Sequence, residues 1–520
     1  MYVKVDGYTI RDFLLMQLDE LSEKVEALNL DSVEEIIAER LLSEITTRLS
    51  YLNKVGVNYL TLNRKINTLS GGEMQRIRLA TSLGSGLVGS MYILDEPSIG
   101  LHSRDTEKLI TILESLRDQG NTVIVVEHDE SIMRKADQLI DIGPGAGEYG
   151  GEIVFNGDFK KMSKEKTLTA KYLFGGEEIS VPNLRRKFAS KITVKGARLH
   201  NLKGIDVEIP LYGITVVTGV SGSGKSTLIE KILYPSIRKH LGDFGDKGGY
   251  LDELGGDLSQ IKGVEMVDQR PIGRSARSNP TTYIKAYDVI RDLFSKQPLA
   301  KIKSLKPGHF SFNIDGGRCD NCQGEGHVTV EMQFLPDVKL LCEVCNGKRF
   351  KKHVLEVVYK GKNIDDILNM TISEGIEFFK EVKKVANKLE ILDRVGLGYL
   401  RMGQSTSTLS GGEAQRMKLA FFLSQSSQAK GTFYIFDEPT TGLHFEDIKK
   451  LLLAMNELVE KGNTVLIIEH NLDVIKSADW IIDLGPEGGN EGGNLLYQGK
   501  PEELLKVKTS HTAKYLREKL

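Results

Sequence analysis

Short apolar runs alternate along most of the chain with longer stretches of helical periodicity. The clearest runs are Asn121-Thr-Val-Ile-Val-Val126 and Asn463-Thr-Val-Leu-Ile-Ile468. Their continuous β-branched character predicts strands that helices bury on both faces. Because strands separated by helices are typical of parallel sheets, the pattern predicts an α/β fold.

The sequence also repeats itself. Leu69-Ser-Gly-Gly-Glu-Met-Gln-Arg76 returns as Leu409-Ser-Gly-Gly-Glu-Ala-Gln-Arg416, and Tyr92-Ile-Leu-Asp-Glu-Pro97 returns as Tyr434-Ile-Phe-Asp-Glu-Pro439. Further blocks recur in the same order and at nearly the same spacing, which predicts two copies of one folded unit. Residues 175–190 are polar and contain Gly, Pro and a basic cluster, which predicts a linker. We call the part before this linker the first copy and the part after it the second copy.

Composition limits the classes of function. The chain of 520 residues has 69 Lys plus Arg and 71 Asp plus Glu, a formal net charge of −2, so any nucleic-acid surface must be local. No uninterrupted apolar stretch is long enough for a membrane span, and the start of the chain does not resemble a signal peptide. We therefore expect a cytoplasmic protein.

A glycine-rich loop follows the apolar run Ile214-Thr-Val-Val-Thr218 and precedes a helical pattern. It fits the phosphate-loop pattern G-x-x-x-x-G-K-[ST], in which backbone N–H groups converge on phosphates at a helix N-terminus. Lys225 then reaches the β- and γ-phosphates, and Ser226 coordinates Mg²⁺. A glycine-rich turn without ligand is the alternative. The loop comprises Gly219, Val220, Ser221, Gly222, Ser223, Gly224, Lys225, Ser226 and Thr227.

Two carboxylates end the apolar run Phe433-Tyr-Ile-Phe436. At the carboxyl edge of a sheet, Asp437 suits Mg²⁺ binding and Glu438 suits activation of the attacking water. His470 follows the next strand and could hydrogen-bond the γ-phosphate or that water, although a structural histidine is the common alternative. The repetition of this placement at His128 favours the functional interpretation.

The Leu-Ser-Gly-Gly-Glu blocks predict anion-binding helix starts. Ser70, Gly71 and Gly72 offer free N–H groups, a hydroxyl and the positive end of a helix dipole. A simple N-cap with two turn glycines is the alternative. It explains two blocks less well, since each precedes a strand ending in Asp-Glu-Pro.

All four cysteines of the chain lie in one short segment, in two Cys-x-x-Cys pairs. Two such pairs supply the four thiolates of a structural Zn²⁺ site, and the glycines after each pair permit tight turns around the sulfurs. The alternation from His327 to Phe334 predicts a small hairpin tied at its base. His327 is a rival ligand, and a redox dithiol is the less favoured alternative. The predicted ligands are Cys319, Cys322, Cys342 and Cys345.

Together, the phosphate loop, the Leu-Ser-Gly-Gly-Glu signature, the Asp-Glu strand and the following histidine resemble the ATP-binding cassette superfamily. In that superfamily two units enclose ATP, and the signature of each unit faces the phosphate loop of the other. The resemblance implies that Ser70 to Gly72 cover nucleotide held at Lys225. It also implies that Gln269 links the γ-phosphate and Mg²⁺ to the rest of its unit.

The whole chain is similar to the UvrA family, the damage-recognition subunits of bacterial UvrABC excision repair. The similarity rests on VDQRPIGRSARSNPTTY (267–283), GRCDNCQGEGH (317–327), FLPDV (334–338), CEVCNGKR (342–349) and DIGPGAGEYGG (141–151). A zinc module between phosphate loop and signature distinguishes this family from transporter cassettes. The resemblance implies an ATPase using ATP, Mg²⁺ and Zn²⁺ that binds damaged double-stranded DNA and loads a UvrB-type partner without cutting DNA itself.

By this resemblance the chain is an α/β protein of two cassette units, one incomplete, with an inserted zinc-binding hairpin. Residues 1–185 form the signature part of the first unit, and residues 186–318 form the ATP-binding part of the second. The zinc module spans residues 319–345, and residues 346–520 form the signature part of the second unit.

The sequence contains one phosphate loop, because residues 1–68 lack the pattern. We therefore expect the chain to correspond to the C-terminal part of family members, without the portion that carries the first phosphate loop and the UvrB-binding domain. A homodimer or a separate N-terminal part would complete the second site. The residues of that incomplete site are Asp95, Glu96, His128, Ser410, Gly411 and Gly412.

A basic region lies beside the zinc module. From Glu265 to Lys306 nine Lys or Arg residues stand against four Asp or Glu residues, and a second basic cluster follows at 348–352. A solvated surface is the common alternative, but the resemblance favours phosphate contacts with DNA. The candidates are Arg274, Arg277, Lys351 and Lys352.

Two other functions compete with this interpretation. A soluble twin-cassette ATPase of translation-factor type has the same duplicated motifs, but the zinc insertion argues against it. A fragment that binds DNA without ATP turnover is the second alternative, because one nucleotide site is incomplete.

Overall fold

The computed structural model describes residues 3–69, 71–84, 88–243, 248–268, 278–330, 332, 337–425 and 430–520. The first copy contains helices α1 Ile10–Leu15, α2 Leu18–Glu26, α3 Ser32–Lys54, α4 Gly71–Leu83, α5 Ser103–Asp118, α6 Glu130–Lys135, α7 Phe159–Met162 and α8 Leu168–Leu173. Its strands are β1 Met91–Asp95, β2 Thr122–Val126, β3 Leu139–Gly143 and β4 Glu152–Gly157.

The second copy begins with β5 Lys191–Ala197, the first regular element after the predicted linker. Its other strands are β6 Ile205–Pro210, β7 Ile214–Gly219, β8 Glu253–Gly256, β9 Gly263–Val267, β10 His327–Val330, β11 Val338–Leu341, β12 Thr432–Asp437, β13 Thr464–Ile468, β14 Trp480–Gly485 and β15 Asn494–Gly499.

The described residues of the second copy also form a series of helices. They are α9 Tyr234–His240, α10 Pro280–Tyr283, α11 Tyr287–Ser295, α12 Pro298–Ile302, α13 Lys352–Leu355, α14 Ile364–Asn369, α15 Ile372–Phe378, α16 Lys383–Arg394, α17 Gly411–Gln425, α18 Phe445–Glu460, α19 Leu472–Ser477, α20 Pro501–Leu504 and α21 His511–Leu516. A π-helical segment, Thr227–Leu233, runs directly into α9. Short 3₁₀ turns occupy Ile66–Thr68, Gly147–Tyr149, Leu258–Gln260, Pro307–Phe310, Thr406–Thr408 and Gly489–Glu491.

The duplication predicted from sequence is present in the fold. Nine consecutive elements of the first copy, α4, β1, α5, β2, α6, β3, β4, α7 and α8, return in the same order as α17, β12, α18, β13, α19, β14, β15, α20 and α21. Equivalent motifs therefore start or end equivalent elements.

Six strands of the second copy form one sheet in the order β15-β14-β7-β13-β12-β9. All are parallel except β15, which is antiparallel at the edge. One face packs against helices, and the other packs against the π-helical segment and the antiparallel sheet β6-β5-β8. The carboxyl ends of β7, β12 and β13 share one edge, where α/β sheets place their ligands.

In the first copy the corresponding strands form two separate pairs, β1-β2 and β3-β4. Alternate residues are exposed along β1 and β2, and Met91, Ile93, Ile124 and Val126 are 63%, 68%, 44% and 50% exposed. The prediction that strand 121–126 is buried on both faces is therefore wrong, because no described residue covers its second face. The same prediction is confirmed for β13, which is buried throughout.

The cysteine segment forms the predicted hairpin. Strands β10 and β11 pair antiparallel, with His327 opposite Leu341 at the end next to the cysteines. Within the described ranges, no helix combines the length and the apolar character that a membrane crossing requires.

Candidate functional site

The glycine-rich loop adopts a conformation that its sequence requires. Gly219 and Gly222 have φ values of 129° and 74°. A methyl group at position 219 would lie 2.0 Å from the carbonyl oxygen of Leu484, so a side chain cannot be accommodated there. The hydroxyls of Ser221 and Ser223 are buried and have no hydrogen-bond partner among the described residues. Unpaired donors in a close backbone turn at a helix start fit a bound phosphate.

Lys225 lies inside this loop. Its Nζ atom donates hydrogen bonds to the carbonyl oxygens of Gly219 and Val220, at 3.0 and 2.9 Å. Burial lowers the pKa of Lys225 below its usual value, while the charges of Glu438 and Asp105 act in the opposite direction. An anion at the loop would favour the ammonium form further.

Asp437 ends β12, and Glu438 follows it with a φ of 46°. Burial, followed by the charge of Glu438, raises the pKa of Asp437 to about 8. Burial, followed by the charge of Glu469, also raises the pKa of Glu438. Crowded, buried carboxylates are typical of sites that hold a cation or a general base. Asp437 and Ser226 provide the oxygen ligands that Mg²⁺ prefers.

His470 lies beside the second carboxylate. Its Nε2 atom is 3.9 Å from Glu438 Oε1, and its Nδ1 atom is buried without a partner among the described residues. Burial, together with the charge of Lys225, holds the pKa of His470 well below its usual value. The imidazole is therefore neutral and can hydrogen-bond a ligand or water.

Residues of the first copy contact the phosphate loop of the second copy. A methyl group at Gly222 would lie 2.9 Å from Tyr59 Cε2, and Tyr59 donates a 2.7 Å hydrogen bond to Glu73 in the first turn of α4. The backbone N–H of Ser221 donates to Asp105 Oδ2 at 3.4 Å. Burial works against the charged form of Asp105, but Arg76 and Arg104 outweigh it and lower the pKa of this carboxyl.

The loop after β1 also crosses between the copies. A methyl group at Gly100 would lie 2.9 Å from Glu438 Oε2. Gly72 of the signature packs behind this loop, where its own methyl group would lie 2.5 Å from the carbonyl oxygen of Ile99. Arg76 of α4 also contributes to the lowered pKa of His470. The signature helix of the first copy thus lies next to the catalytic candidates of the second.

Two predicted residues of this site, Ser70 and Gln269, lie outside the described residues. Gly71 begins α4, as the signature pattern predicted. The roles of the signature glycines toward nucleotide stay predictions.

The incomplete set of motifs mirrors the complete one. His128 Nε2 lies 3.8 Å from Glu96 Oε1, and a methyl group at Gly442 would lie 2.8 Å from the same oxygen. Glu96 has a φ of 44°, and Asp95 ends β1. A cavity of about 180 Å³ lies between the copies and is lined by Glu96, His128, Glu438 and His470, among others.

The second signature has the same local structure as the first. Ser410 precedes α17, which Gly411 and Gly412 begin, and the Ser410 backbone N–H donates to Glu413 at 2.8 Å. Tyr399 donates to Glu413 at 2.6 Å, as Tyr59 does to Glu73. A methyl group at Gly147 of the first copy would lie 3.2 Å from Tyr399 Cβ. The region of the second signature is therefore next to the first copy.

The four cysteines form one buried cluster. Their sulfur atoms all lie within 4.8 Å of one another. The sulfurs of Cys319 and Cys342 are 3.9 Å apart, and those of Cys322 and Cys345 are 3.7 Å apart. Tetrahedral zinc with Zn–S bonds of about 2.3 Å separates its sulfur ligands by about 3.8 Å, so the cluster fits Zn²⁺. His327 is exposed and is not among the clustered groups.

Hydrogen bonds orient two of these sulfurs. The backbone N–H of Gly326 donates to Cys322 Sγ, and Asn321 Nδ2 donates to Cys342 Sγ, both at 3.2 Å. Donors of this kind stabilise thiolates in metal sites.

The candidate DNA contacts differ in their surroundings. Lys351 pairs with Asp320 at 2.8 Å, whereas Lys352 is exposed in the first turn of α13. Arg274 and Arg277 lie outside the described residues. Their contacts with DNA stay predictions.

Several residues of the site were not singled out from sequence. They contact the loop or the catalytic candidates from the first copy, or in the case of Arg76 influence those candidates through its charge. The repeat contains a usable signal, since each recurs at the equivalent position of the second copy. The residues are Tyr59, Arg76, His102 and Asp105, and their counterparts are Tyr399, Arg416, His444 and Asp447.

Comparisons with known proteins agree with this geometry. No protein-family model matches the chain. The chain is 53% identical over 520 residues to UvrABC system protein A of Staphylococcus aureus, and 53% identical over 522 residues to that of Aquifex aeolicus. These alignments cover 100% of this chain but 55% and 56% of the relatives, so the chain spans about half of their length.

Solved structures give the same result. UvrA2 from Deinococcus radiodurans matches with a TM-score of 0.92 and 44% identity, over 99% of this chain and 64% of that one. A model of ribosome-bound archaeal Pelota and ABCE1 matches at a TM-score of 0.52 and 18% identity, over 95% of this chain and 63% of that one, and shares the fold alone.

The fold of the two copies, with the motifs at their junction, is of the ATP-binding cassette type. Within that superfamily, the whole length of the chain is homologous to part of UvrABC system protein A. The resemblance noted from sequence is confirmed.

Proposed function

We propose that the chain binds and hydrolyses ATP at the junction between its two copies. The observation that supports this most directly is the contact of Tyr59 and Asp105 of the first copy with the phosphate loop of the second. Gly100 adds a contact with Glu438, so both sides of one nucleotide site come from a single chain.

The residues act by position and charge. Loop amides and Lys225 bind the phosphates, and Glu438 orients the attacking water and accepts its proton. His470, neutral and with a free Nδ1, hydrogen-bonds the γ-phosphate or that water. Asp437 and Ser226 would hold Mg²⁺, which neutralises negative charge on the phosphates when bound. Ser70, Gly71, Gly72 and Gln269 complete the proposed nucleotide contacts.

Steady-state ATP turnover tests this proposal. Lys225→Ala and Glu438→Gln should each lower turnover by about a hundredfold or more, because phosphate binding and base catalysis are lost. Glu390→Gln, at an exposed position of α16, is the matched control. Wild-type turnover no faster than that of the two site variants would reject ATP hydrolysis.

We further propose that the chain acts in nucleotide excision repair, as its resemblance to the UvrA family implies, by binding damaged duplex DNA and working with a UvrB-type partner. The support is homology over the full chain together with the basic residues at 348–352, which follow the last cysteine in the sequence. In this proposal Arg274, Arg277, Lys351 and Lys352 contact phosphates, and base-specific contacts are few, because lesions are detected through duplex deformability.

Binding to duplexes with and without a bulky lesion, over a range of salt concentrations, tests this second proposal. Lys351→Ala combined with Lys352→Ala should weaken binding to both duplexes and reduce the slope of log K against log salt by about one to two. Lys160→Ala, at an exposed position of the first copy, is the control. Equal affinity of the wild type for both duplexes would remove damage recognition from the proposal. Co-purification with a UvrB-type protein tests the partner separately.

A further inference from the structure

Each copy extends one histidine into the other copy. His102 and His444 occupy equivalent positions, immediately before α5 and α18. The Nδ1 atom of each ring accepts a hydrogen bond from a helix N–H, from Arg104 at 3.2 Å and from Glu446 at 3.3 Å. A neutral ring whose Nδ1 accepts must carry its proton on Nε2. Both histidines therefore present a donor to the opposite copy.

The donor of His102 begins a chain of hydrogen bonds in the second copy. His102 Nε2 lies 3.1 Å from Thr512 Oγ1, and Thr512 donates to Asp483 Oδ1 at 3.1 Å. All three residues are only 1% exposed, so water cannot replace a lost bond without rearrangement. The other carboxylate oxygen of Asp483 accepts from Ser510. Removal of one member would leave buried polar groups unpaired.

An equivalent series of hydrogen bonds starts at His444 and continues in the first copy, but it is less complete. Thr169 Oγ1 lies 3.3 Å from His444 Nε2 and donates to Asp141 Oδ1 at 3.0 Å. These residues are only partly buried, and Asp141 Oδ2 has no partner among the described residues. The hydrogen bonds of His444, Thr169 and Asp141 thus provide an internal comparison with the same chemistry. They belong to the site whose phosphate loop does not occur in this sequence.

The hydrogen bonds from His102 through Thr512 to Asp483 join two parts of the proposed nucleotide site. His102 follows Gly100, the residue that packs against Glu438, by two positions. Asp483 lies on β14 opposite Thr218 of β7, the strand that leads into the phosphate loop. A displacement of the Gly100 loop therefore breaks the contact with Glu438 and the bond to Thr512 together.

We propose that His102, Thr512 and Asp483 form a latch that holds the Gly100 loop of the first copy against Glu438 of the second copy. In this proposal His102 is a positioning residue for the reaction in the opposite copy and acts through the Gly100 loop. This proposal rests on the proposed ATP hydrolysis.

Substitutions at Thr512 test the latch in the complete 520-residue chain. Thr512→Val keeps the shape of the side chain and removes the hydroxyl, so kcat should fall about five- to tenfold with KM within twofold, since nucleotide contacts remain. Thr512→Ser restores the hydroxyl and should recover at least half of the wild-type kcat. Thr169→Val, the equivalent change in the hydrogen bonds of His444, should leave kcat within twofold of the wild type.

A second measurement does not depend on turnover. Hydrogen exchange of the backbone amides of residues 98–104 should accelerate about tenfold in Thr512→Val, and remain unchanged in Thr512→Ser and Thr169→Val. His102→Asn provides the same test if Thr512→Val does not fold, because asparagine keeps the helix cap but cannot reach Thr512. Should the wild type lack ATP turnover, the exchange result alone decides whether the latch exists.

The latch is overturned if Thr512→Val leaves kcat and exchange unchanged, or if Thr169→Val has an equal effect. A rise in KM without a change in kcat would also overturn it, because the residue would then act on nucleotide binding rather than on the position of Glu438.

Discussion

Gly100 in the first copy packs against the carboxylate of Glu438 in the second, and Gly442 packs in the same way against Glu96. The two contacts are equivalent under the internal repeat. Because no side chain separates loop from carboxylate, the position of one copy determines the space available to the candidate base of the other.

Addition of one methyl group at this contact should impair the reaction. In Gly100→Ala the new carbon would lie 2.9 Å from Glu438 Oε2, so the carboxylate must move, and kcat should fall at least tenfold. Gly442→Ala is a matched control, because its φ of 66° resembles the 64° of Gly100 but its methyl group meets Glu96. Gly442→Ala should lower the free energy of unfolding by about 1 kcal/mol, as Gly100→Ala does, because alanine disfavours this backbone conformation. Its loss of kcat should be much smaller. Equal losses of kcat would contradict the assignment.

The activity should fall at mildly acidic pH. Burial raises the pKa of Glu438 above its usual value of 4.5, and only the ionised carboxylate can accept a proton from water. Ionisation is complete above the raised pKa and is lost as the pH falls through it. A profile of kcat/KM from pH 5.5 to 9 should therefore show an acidic limb at higher pH than an ordinary glutamate would produce. A flat profile down to pH 5.5 would contradict Glu438 as the base.

The cysteine cluster should contain about one zinc ion per chain, as four thiolates predict. Elemental analysis of purified protein measures this directly, and Cys342→Ser should abolish it. Asn321→Ala removes the hydrogen bond to Cys342 Sγ and should weaken zinc binding about 10- to 100-fold in a chelator competition. A folded wild-type chain that contains no metal would refute the zinc site.

Stability should depend on pH through His102. Burial is the main cause that lowers the pKa of His102 to about 3, from its usual value of 6.5. Between these two values the unfolded chain binds a proton that the folded chain excludes, so stability decreases as the pH falls through that window. His102→Asn should remove up to about 1.4 kcal/mol per pH unit from this slope. Urea unfolding at pH 7, 6 and 5 measures it, with the exposed His240→Asn as control. An unchanged slope in His102→Asn would show that the ring is protonated in the folded state.

The sequence predicted local structure better than contacts between the copies. The phosphate loop, the strand that ends at Asp437 and the cysteine hairpin each follow from a short pattern whose residues act together locally. Tyr59 and Asp105 could not be placed in the same way, because an ordinary tyrosine and an ordinary helix aspartate gain their role only when the two copies meet. Comparison of the repeats would have drawn attention to them, since Tyr399 and Asp447 recur at the equivalent positions.

Burial of β2 was predicted wrongly for a related reason. Its sequence is as apolar as that of β13, yet Val126 is 50% exposed, whereas Ile468 is fully buried. Apolar character shows what a strand prefers to contact, but the elements that cover it are determined elsewhere in the chain.

The confinement of every cysteine to one buried cluster makes the chain convenient to label. While zinc is held, a thiol-directed dye should find no free sulfur, so a single cysteine introduced on the surface would take up the dye at one defined place. Conversely, dye uptake by the unaltered chain would report the moment at which the ion leaves.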